Sequence, residues 1–347
     1  MTAHTTASST AREMESLLAR WKGGERIPPE ELASLDDVEF LRGHEIRGLS
    51  LEGSKVADLG PLAEAAVEEL MIDGKLLTDL SPLARTAGLK WLRITQASDE
   101  LLGTLSRSDS LAHLIVRGAA VSSVDFVAAA TKLAILDLEG TAVSDLGPLA
   151  GCKQLKELLA ARTRAVDPSP LAGLKKLATL DLRGTRISST LPLAGATKLK
   201  RVLLSDTGIE EIEGLRAAKD LRDVAFASTG VERLDPLAGK TKLRMLVANR
   251  TRISDLAPLA DSGKLTKLLV ERTQVRDLSV LASMSKLVEV RLDYTPVEDI
   301  SPLAGHKKLL YLGLRGSRVA DLSPIAKRQR YLRYFNYEET PAAKAAS

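Results

Sequence analysis

The sequence predicts an α/β solenoid: a stack of equal coils with a parallel concave sheet and short helical or 3-10 segments on the convex side. Three observations predict it. Thr141, Thr163, Thr185, Thr207, Thr229, Thr251, Thr273 and Thr295 stand 22 residues apart without a slip, and Ser317 continues the column. The stretch from Leu133 to Ala150, LAILDLEGTAVSDLGPLA, returns with the same period. Aromatic residues make up only 3% of the chain, which suits a narrow core of stacked leucines. A fixed period of this length marks coils that touch only their neighbours, because an insertion would throw one coil out of step with both.

Each part of a coil follows from local chemistry. Leu136-x-Leu138 alternates as a short strand does when its leucines point inward. Asp145-Leu-Gly-Pro148-Leu149-Ala reads as a turn into a short helical segment, because proline fits the first helical position, where no N–H is needed. An aspartate at this turn in most coils (Asp58, Asp79, Asp145, Asp167, Asp255, Asp277, Asp299, Asp321) is expected to bond local backbone N–H groups. Calcium-binding solenoids would need dense Gly-Asp runs, which the sequence lacks.

The string L-x-x-L-x-L-x-x-T-x-V-x-D-L-x-P-L-A resembles a leucine-rich repeat of the short 22-residue class found in bacterial internalins. The resemblance covers about Ile46 to Ile325, thirteen coils, and implies a right-handed superhelix that recognises other proteins. One departure is the Thr or Ser column, where the family usually carries Asn. A hydroxyl both donates and accepts, so it is expected to satisfy backbone groups between buried coils.

Three segments are expected: residues 1–45 as a flexible start and helical cap, 46–326 as the solenoid, and 327–347 as a half-coil cap with a loose tail. Residues 1–9 are small and polar and read as disordered. Thr10-Ala-Arg-Glu13 forms a capping box ahead of Met14, Leu17, Leu18 and Trp21. Gly23-Gly24 ends that helix, and Pro28-Pro29-Glu30 is expected to open a second with Leu32, Leu35 and Val38 on its apolar face. Coils centred on Ser54 and Lys75 come first. Those at Ala97 and Ala119 are degenerate, one without Asp or Pro.

A net charge of +4, from 49 basic and 45 acidic residues, is too balanced to announce a nucleic-acid binder. The single cysteine, Cys152, excludes an internal disulfide framework. The first residues contain no apolar run with a signal peptide's form, no window approaches a membrane span, and a cytoplasmic bacterial monomer is expected. No catalytic constellation, metal site or cofactor motif emerges, since His4, His44, His113 and His306 fall in unrelated registers.

With the leucines inward, the outward strand positions lie six, four and two residues before each Thr. The middle column reads Ser50, Met71, Arg93, Ile115, Asp137, Leu159, Asp181, Leu203, Ala225, Val247, Leu269, Arg291, Gly313, Phe335. Leu203 to Leu269 should form an apolar strip at the centre of the concave face, adjoined by Ala227 and Met245, while Asp181 faces solvent. Contiguous apolar surface marks a contact site. Toward the C-terminus come Glu289, Arg291, Asp293, Tyr311, Arg315, Arg333, Phe335 and Tyr337, of the types enriched at binding hot spots, with Tyr334 extrapolated to an inward slot. The partner-binding set is therefore Leu203, Met245, Val247, Leu269, Arg291, Tyr311, Arg315, Phe335 and Tyr337. A smaller group is Trp91, Arg93 and His113. Arg162, Arg164, Arg186, Arg250, Arg252, Arg272 and Arg318 flank the Thr column and could meet phosphates or an acidic partner. Gly208, Gly230 and nearby carboxylates break that row, so a solvated edge is the expectation. The reading is a protein-protein module, an adaptor or inhibitor, with toxin neutralisation as an alternative and nucleic acid as a rival through the arginine edge.

Overall fold

Alternating apolar and polar residues dictate a short strand in every coil, and the computed structural model, which describes residues 3–105, 108 and 110–346, shows them. The chain divides into two units, residues 1–164 and 165–347.

In the first unit, helix α1 (Ala3–Lys22) starts well before the capping box at Thr10. The segment expected to be loose is helical from Ala3. Once Trp21 anchors the far end, fully buried and stacked on Phe40 at 6.3 Å, extending the helix through Ala- and Ser-rich sequence costs little per residue. Gly24 ends it in the left-handed region, at φ 79°. The expected second helix is instead two single 3-10 turns, Pro29–Leu32 and Glu39–Leu41. Asp37 divides them by accepting from the Glu39 N–H at 3.1 Å. Leu32, Leu35, Val38 and Leu41 are buried as expected.

Strands β1 (Glu45–Ser50), β2 (Ala66–Asp73), β3 (Trp91–Thr95), β4 (His113–Ile115), β5 (Ile135–Asp137) and β6 (Glu157–Leu159) pair in chain order, all parallel. The two degenerate coils carry substitutes for the missing turn residues. Helix α2 (Asp99–Gly103) replaces the proline turn after Ala97, capped by Ser98 Oγ accepting from the Leu101 N–H at 3.2 Å. After Ala119, Ser123 Oγ does what Asp does elsewhere, accepting from the Asp125 N–H at 3.0 Å.

The second unit holds β7 (Thr179–Asp181), β8 (Arg201–Leu203), β9 (Asp223–Ala225), β10 (Met245–Val247), β11 (Lys267–Leu269), β12 (Glu289–Arg291), β13 (Tyr311–Gly313) and β14 (Tyr334–Asn336). These are also parallel and in order. Their inward residues, Leu180, Val202, Val224, Leu246, Leu268, Val290 and Leu312, are all fully buried. Single 3-10 turns such as Ala257–Leu259 and Ser301–Leu303 start the return, with proline as their second residue.

Two turns recur. The residue before the Thr column is left-handed at Arg162, Asp206, Ser228, Arg250, Arg272 and Tyr294 (φ 55–58°), and at Gly118, Gly140, Gly184 and Gly316. Each Thr hydroxyl then donates to the carbonyl three residues back, as in Thr141 to Leu138 (2.7 Å), Thr207 to Leu204 (2.6 Å) and Thr273 to Val270 (2.7 Å). The column therefore closes a turn inside its own coil. It does not bridge coils, as expected from the sequence, because a hydroxyl on so short a side chain meets its own turn first. At the second turn the expectation holds. Each column aspartate accepts from the N–H two residues on, at 2.7–2.8 Å.

The last coil departs from the 22-residue step. Tyr311, Leu312 and Gly313 pair with Tyr334, Phe335 and Asn336, a step of 23. Thr340 takes over the Thr column, fully buried, with its hydroxyl 2.6 Å from the Tyr337 carbonyl. Beyond it, α3 (Pro341–Ala346) is helical where a loose tail was expected. Thr340 Oγ1 accepts from the Ala343 N–H at 3.1 Å and so caps that turn.

Candidate functional site

The outward face of the second unit's sheet carries the sequence-derived residues. Leu203, Ala225, Val247, Leu269 and Arg291 form one row, in the expected register. Their exposure differs from expectation. Leu203 and Ala225 are 5% and 6% exposed, and Asp181 is 5% exposed. Strands about 4.8 Å apart sandwich every face side chain between its neighbours in the row, so a leucine between Asp181 and Ala225 is mostly covered. Asp181 is bound rather than solvated, accepting from Arg183 Nε at 2.9 Å and from its second guanidinium arm at 2.6 Å. The surface left to a partner is Met245, Val247 and Leu269, all half-buried.

Past Leu269 the row becomes charged and aromatic, and its members bind one another. Glu289 accepts from Lys267 Nζ at 2.9 Å and from Arg291 Nε at 3.1 Å. Burial pushes the Glu289 carboxyl up, but these two hydrogen bonds outweigh it and hold the group below its usual range. The Arg291 guanidinium lies 3.8 Å from the centre of the Tyr334 ring, a cation–π contact. Arg315 donates to Glu339 at 2.9 and 2.6 Å. Tyr294 sits beneath both Arg272 (4.3 Å) and Arg315 (5.9 Å). Gly316 is required there, since a Cβ would meet the Tyr294 ring at 2.5 Å. Gly313 likewise makes room for the Asp293 carboxylate.

Next to this cluster two carboxylates are poorly solvated. Burial raises Glu271, aided by the Asp293 charge. Burial also raises Asp293, opposed by its bond from the Arg315 N–H at 2.9 Å.

Tyr311 is half-buried on the face, as expected. Phe335 and Tyr337 are not on it. The 23-residue step puts Phe335 beside Leu312 in the inward row, stacked on Tyr337 at 4.9 Å. Tyr334, expected inward, faces out beside Tyr311. The signal that could have revealed this was Thr340, one residue beyond the column extrapolated from Ser317. Tyr294 was hidden for another reason: nothing in its spacing announces that a left-handed turn aims its ring between two arginines.

In the first unit, Trp91, Arg93 and His113 do lie on adjoining outward positions of β3 and β4. The arginine edge is partly paired. Arg252 pairs with Glu232 at 3.2 Å, Arg318 with Glu298 at 3.8 Å, and Arg272 lies on Tyr294. Cys152 is buried, and burial pushes its thiol up, the reverse of what a nucleophile needs. A shallow depression of about 700 Å³ lies between the turns at 276–282 and 296–302. Its Asp277 and Asp299 each hold a backbone N–H. Among the described residues no cluster of three metal-binding side chains exists, and no helix is long and apolar enough to cross a membrane.

No protein-family model and no curated protein matches the chain. Solved structures do. The chain is similar to the internalin InlF of Listeria monocytogenes, at 24% identity over 95% of both chains with a TM-score of 0.76. It is also similar to internalin C2 of the same organism, at 30% identity over 54% of this chain and 81% of that one, with a TM-score of 0.51. A plant peptide hormone receptor, RGFR1 in complex with RGF2, shares the fold at 13% identity over 86% of this chain and 50% of the receptor chain, with a TM-score of 0.68.

Proposed function

The chain belongs to the internalin-like leucine-rich repeat proteins, and on that premise we propose that it is a non-catalytic module that binds a protein partner on the sheet face of its second unit. The observation that carries the reading is the join between Met245, Val247 and Leu269 and the tyrosine–arginine cluster of Tyr294, Tyr311, Tyr334, Arg291 and Arg315. Apolar surface next to rigid aromatic and guanidinium groups is the composition of binding hot spots. Because Arg291 and Arg315 are already held by Glu289 and Glu339, they present fixed planes at low entropic cost. A neighbour of the same fold has been solved in complex with RGF2, which fits a recognition role. In the cell we take the chain for a cytoplasmic adaptor or inhibitor, with a toxin as one partner type.

The test is affinity capture from the native cell, followed by titration of the recovered protein. Val247→Ser with Leu269→Ser, and separately Tyr311→Ala with Tyr334→Ala, should each weaken the complex at least tenfold through faster dissociation. Circular dichroism should not change. Two double variants that bind like the parent protein would remove the sheet face from consideration.

A further inference from the structure

The near-neutral charge balance conceals a segregation within the second unit. The residues that lead into each strand form one edge of that unit: 175–179 and their equivalents at 22-residue steps through 307–311. These seven windows hold 14 Lys or Arg and three acidic residues, Asp220, Asp223 and Glu289. The turns that open the return lie past the opposite ends of the strands: 166–170 and equivalents through 298–302. They hold ten acidic residues and two basic ones, Arg233 and Arg276. Equivalent positions in the first unit are mixed, with Lys90, Lys132 and Lys156 among Glu68, Glu69 and Glu157.

The two edges of the second unit differ in more than sign. On the acidic edge most charges already have partners, in backbone N–H groups and in pairs such as Arg252–Glu232 and Arg233–Asp235. On the basic edge the cations are exposed, apart from half-buried Lys267. Their ion pairs include Lys242–Asp220 and Lys267–Glu289. Among the described residues Lys198, Lys200, Arg201, Arg222 and Arg244 form no ion pair within 4.0 Å, and Lys198 and Lys200 act on Asp220 only through their charge.

We propose that this basic edge binds double-helical nucleic acid through its phosphates. Charge density decides between polyanions. Seven strands span six spacings of about 4.8 Å, or about 29 Å, so with the three carboxylates set against the cations the edge presents about one net positive charge per 2.6 Å, denser than an extended acidic peptide can match. A duplex carries one negative charge per ~1.7 Å of axis. An extended acidic peptide reaches at most one per ~3.3 Å. Tyr311 is the one aromatic in the seven windows, so a single strand would find no stacking platform there. This edge meets the sheet face at Met245 and Tyr311, but Lys198, Lys200, Arg222 and Arg244 lie outside the sheet-face set, so the two sites are tested independently.

The test is fluorescence anisotropy of the full chain with labelled 20-base-pair duplex DNA in two unrelated sequences. Equal affinity for both is expected, falling about a thousandfold or more between 50 and 200 mM salt, the dependence of six or more phosphate contacts. Lys198→Ser, Lys200→Ser, Arg222→Ser and Arg244→Ser together should weaken binding at least tenfold at 50 mM salt and make the salt slope shallower by about four. Arg186→Ser with Arg252→Ser, on the opposite edge, should change neither. The proposal is overturned if the duplex does not bind at 50 mM salt, if the fourfold variant binds like the parent with unchanged circular dichroism, or if single-stranded DNA or polyglutamate binds more tightly than the duplex.

Discussion

Arg250 and Thr251 show how one residue pair closes a coil. Arg250 occupies the left-handed region at φ 56°, which costs a residue with a Cβ about 1–2 kcal/mol. Thr251 is 6% exposed and donates to the Ala248 carbonyl at 2.7 Å. Arg250→Gly should therefore raise stability by about 0.5–1 kcal/mol, after allowing for glycine's greater freedom when unfolded. Thr251→Val should lower it by about 1–2 kcal/mol, because the carbonyl loses its donor. Arg252 has no positive φ, and Arg252→Gly should bring no gain. Urea unfolding of the three variants checks the set, and a loss of stability in Arg250→Gly would contradict the turn geometry. Ser317 is the column's exception: its buried hydroxyl has no partner. The side chain of Ser317 was legible as a column member, but its lack of a bond was not, since that depends on a rotamer.

At the scale of the element, the aspartate turn links the coil to pH. Hydrogen bonds from the Ser two residues on hold Asp79, Asp167 and Asp321 below the usual carboxylate range, and for Asp277 the Ser279 backbone N–H contributes most. Because the folded values are depressed, the stabilisation is complete above the unfolded value of about 3.9 and is lost as pH falls through the lower folded values. Melting temperature should therefore drop steeply below about pH 4. Replacing Asp277 and Asp321 with Asn should make that drop shallower. Glu271 and Asp293 run the other way. Their folded values are raised, so the pair costs stability as pH climbs above about 4. Glu271→Gln should raise the melting temperature at pH 7 and leave it unchanged at pH 3. A gain equal at both pH values would rule out a charge effect.

At the scale of the whole molecule, stability belongs to neighbouring coils rather than to one core. Leu182 is fully buried, and Leu182→Asp would place an unpaired charge among the inward leucines, at a cost of several kcal/mol. The expected outcome is loss of amide protection in the coils of β7 and β8 before distant coils such as that of β13. Asp181→Ser should cost far less, about 1 kcal/mol, from its lost bonds to Arg183. Hydrogen exchange followed by mass spectrometry reads both, and equal effects would overturn the register.

The sequence by itself determined whatever repeats. Coil length, the inward leucine rows, the aspartate turns and the order of the strands all follow from a 22-residue period, because each coil must match the ladder of its neighbours. The outward row from Asp181 to Gly313 was legible for the same reason. Only the tertiary structure decided what breaks the period or depends on exposure. The extra residue before Thr340 turned Phe335 and Tyr337 inward and Tyr334 outward, since a one-residue slip exchanges the two faces of a strand. Leu203 proved covered and Leu269 accessible, although both are leucines in one row, because burial is set by the side chains packed on either side. The charges of the second unit separate onto its two edges only once the coils are stacked and positions 22 residues apart become neighbours about 4.8 Å apart.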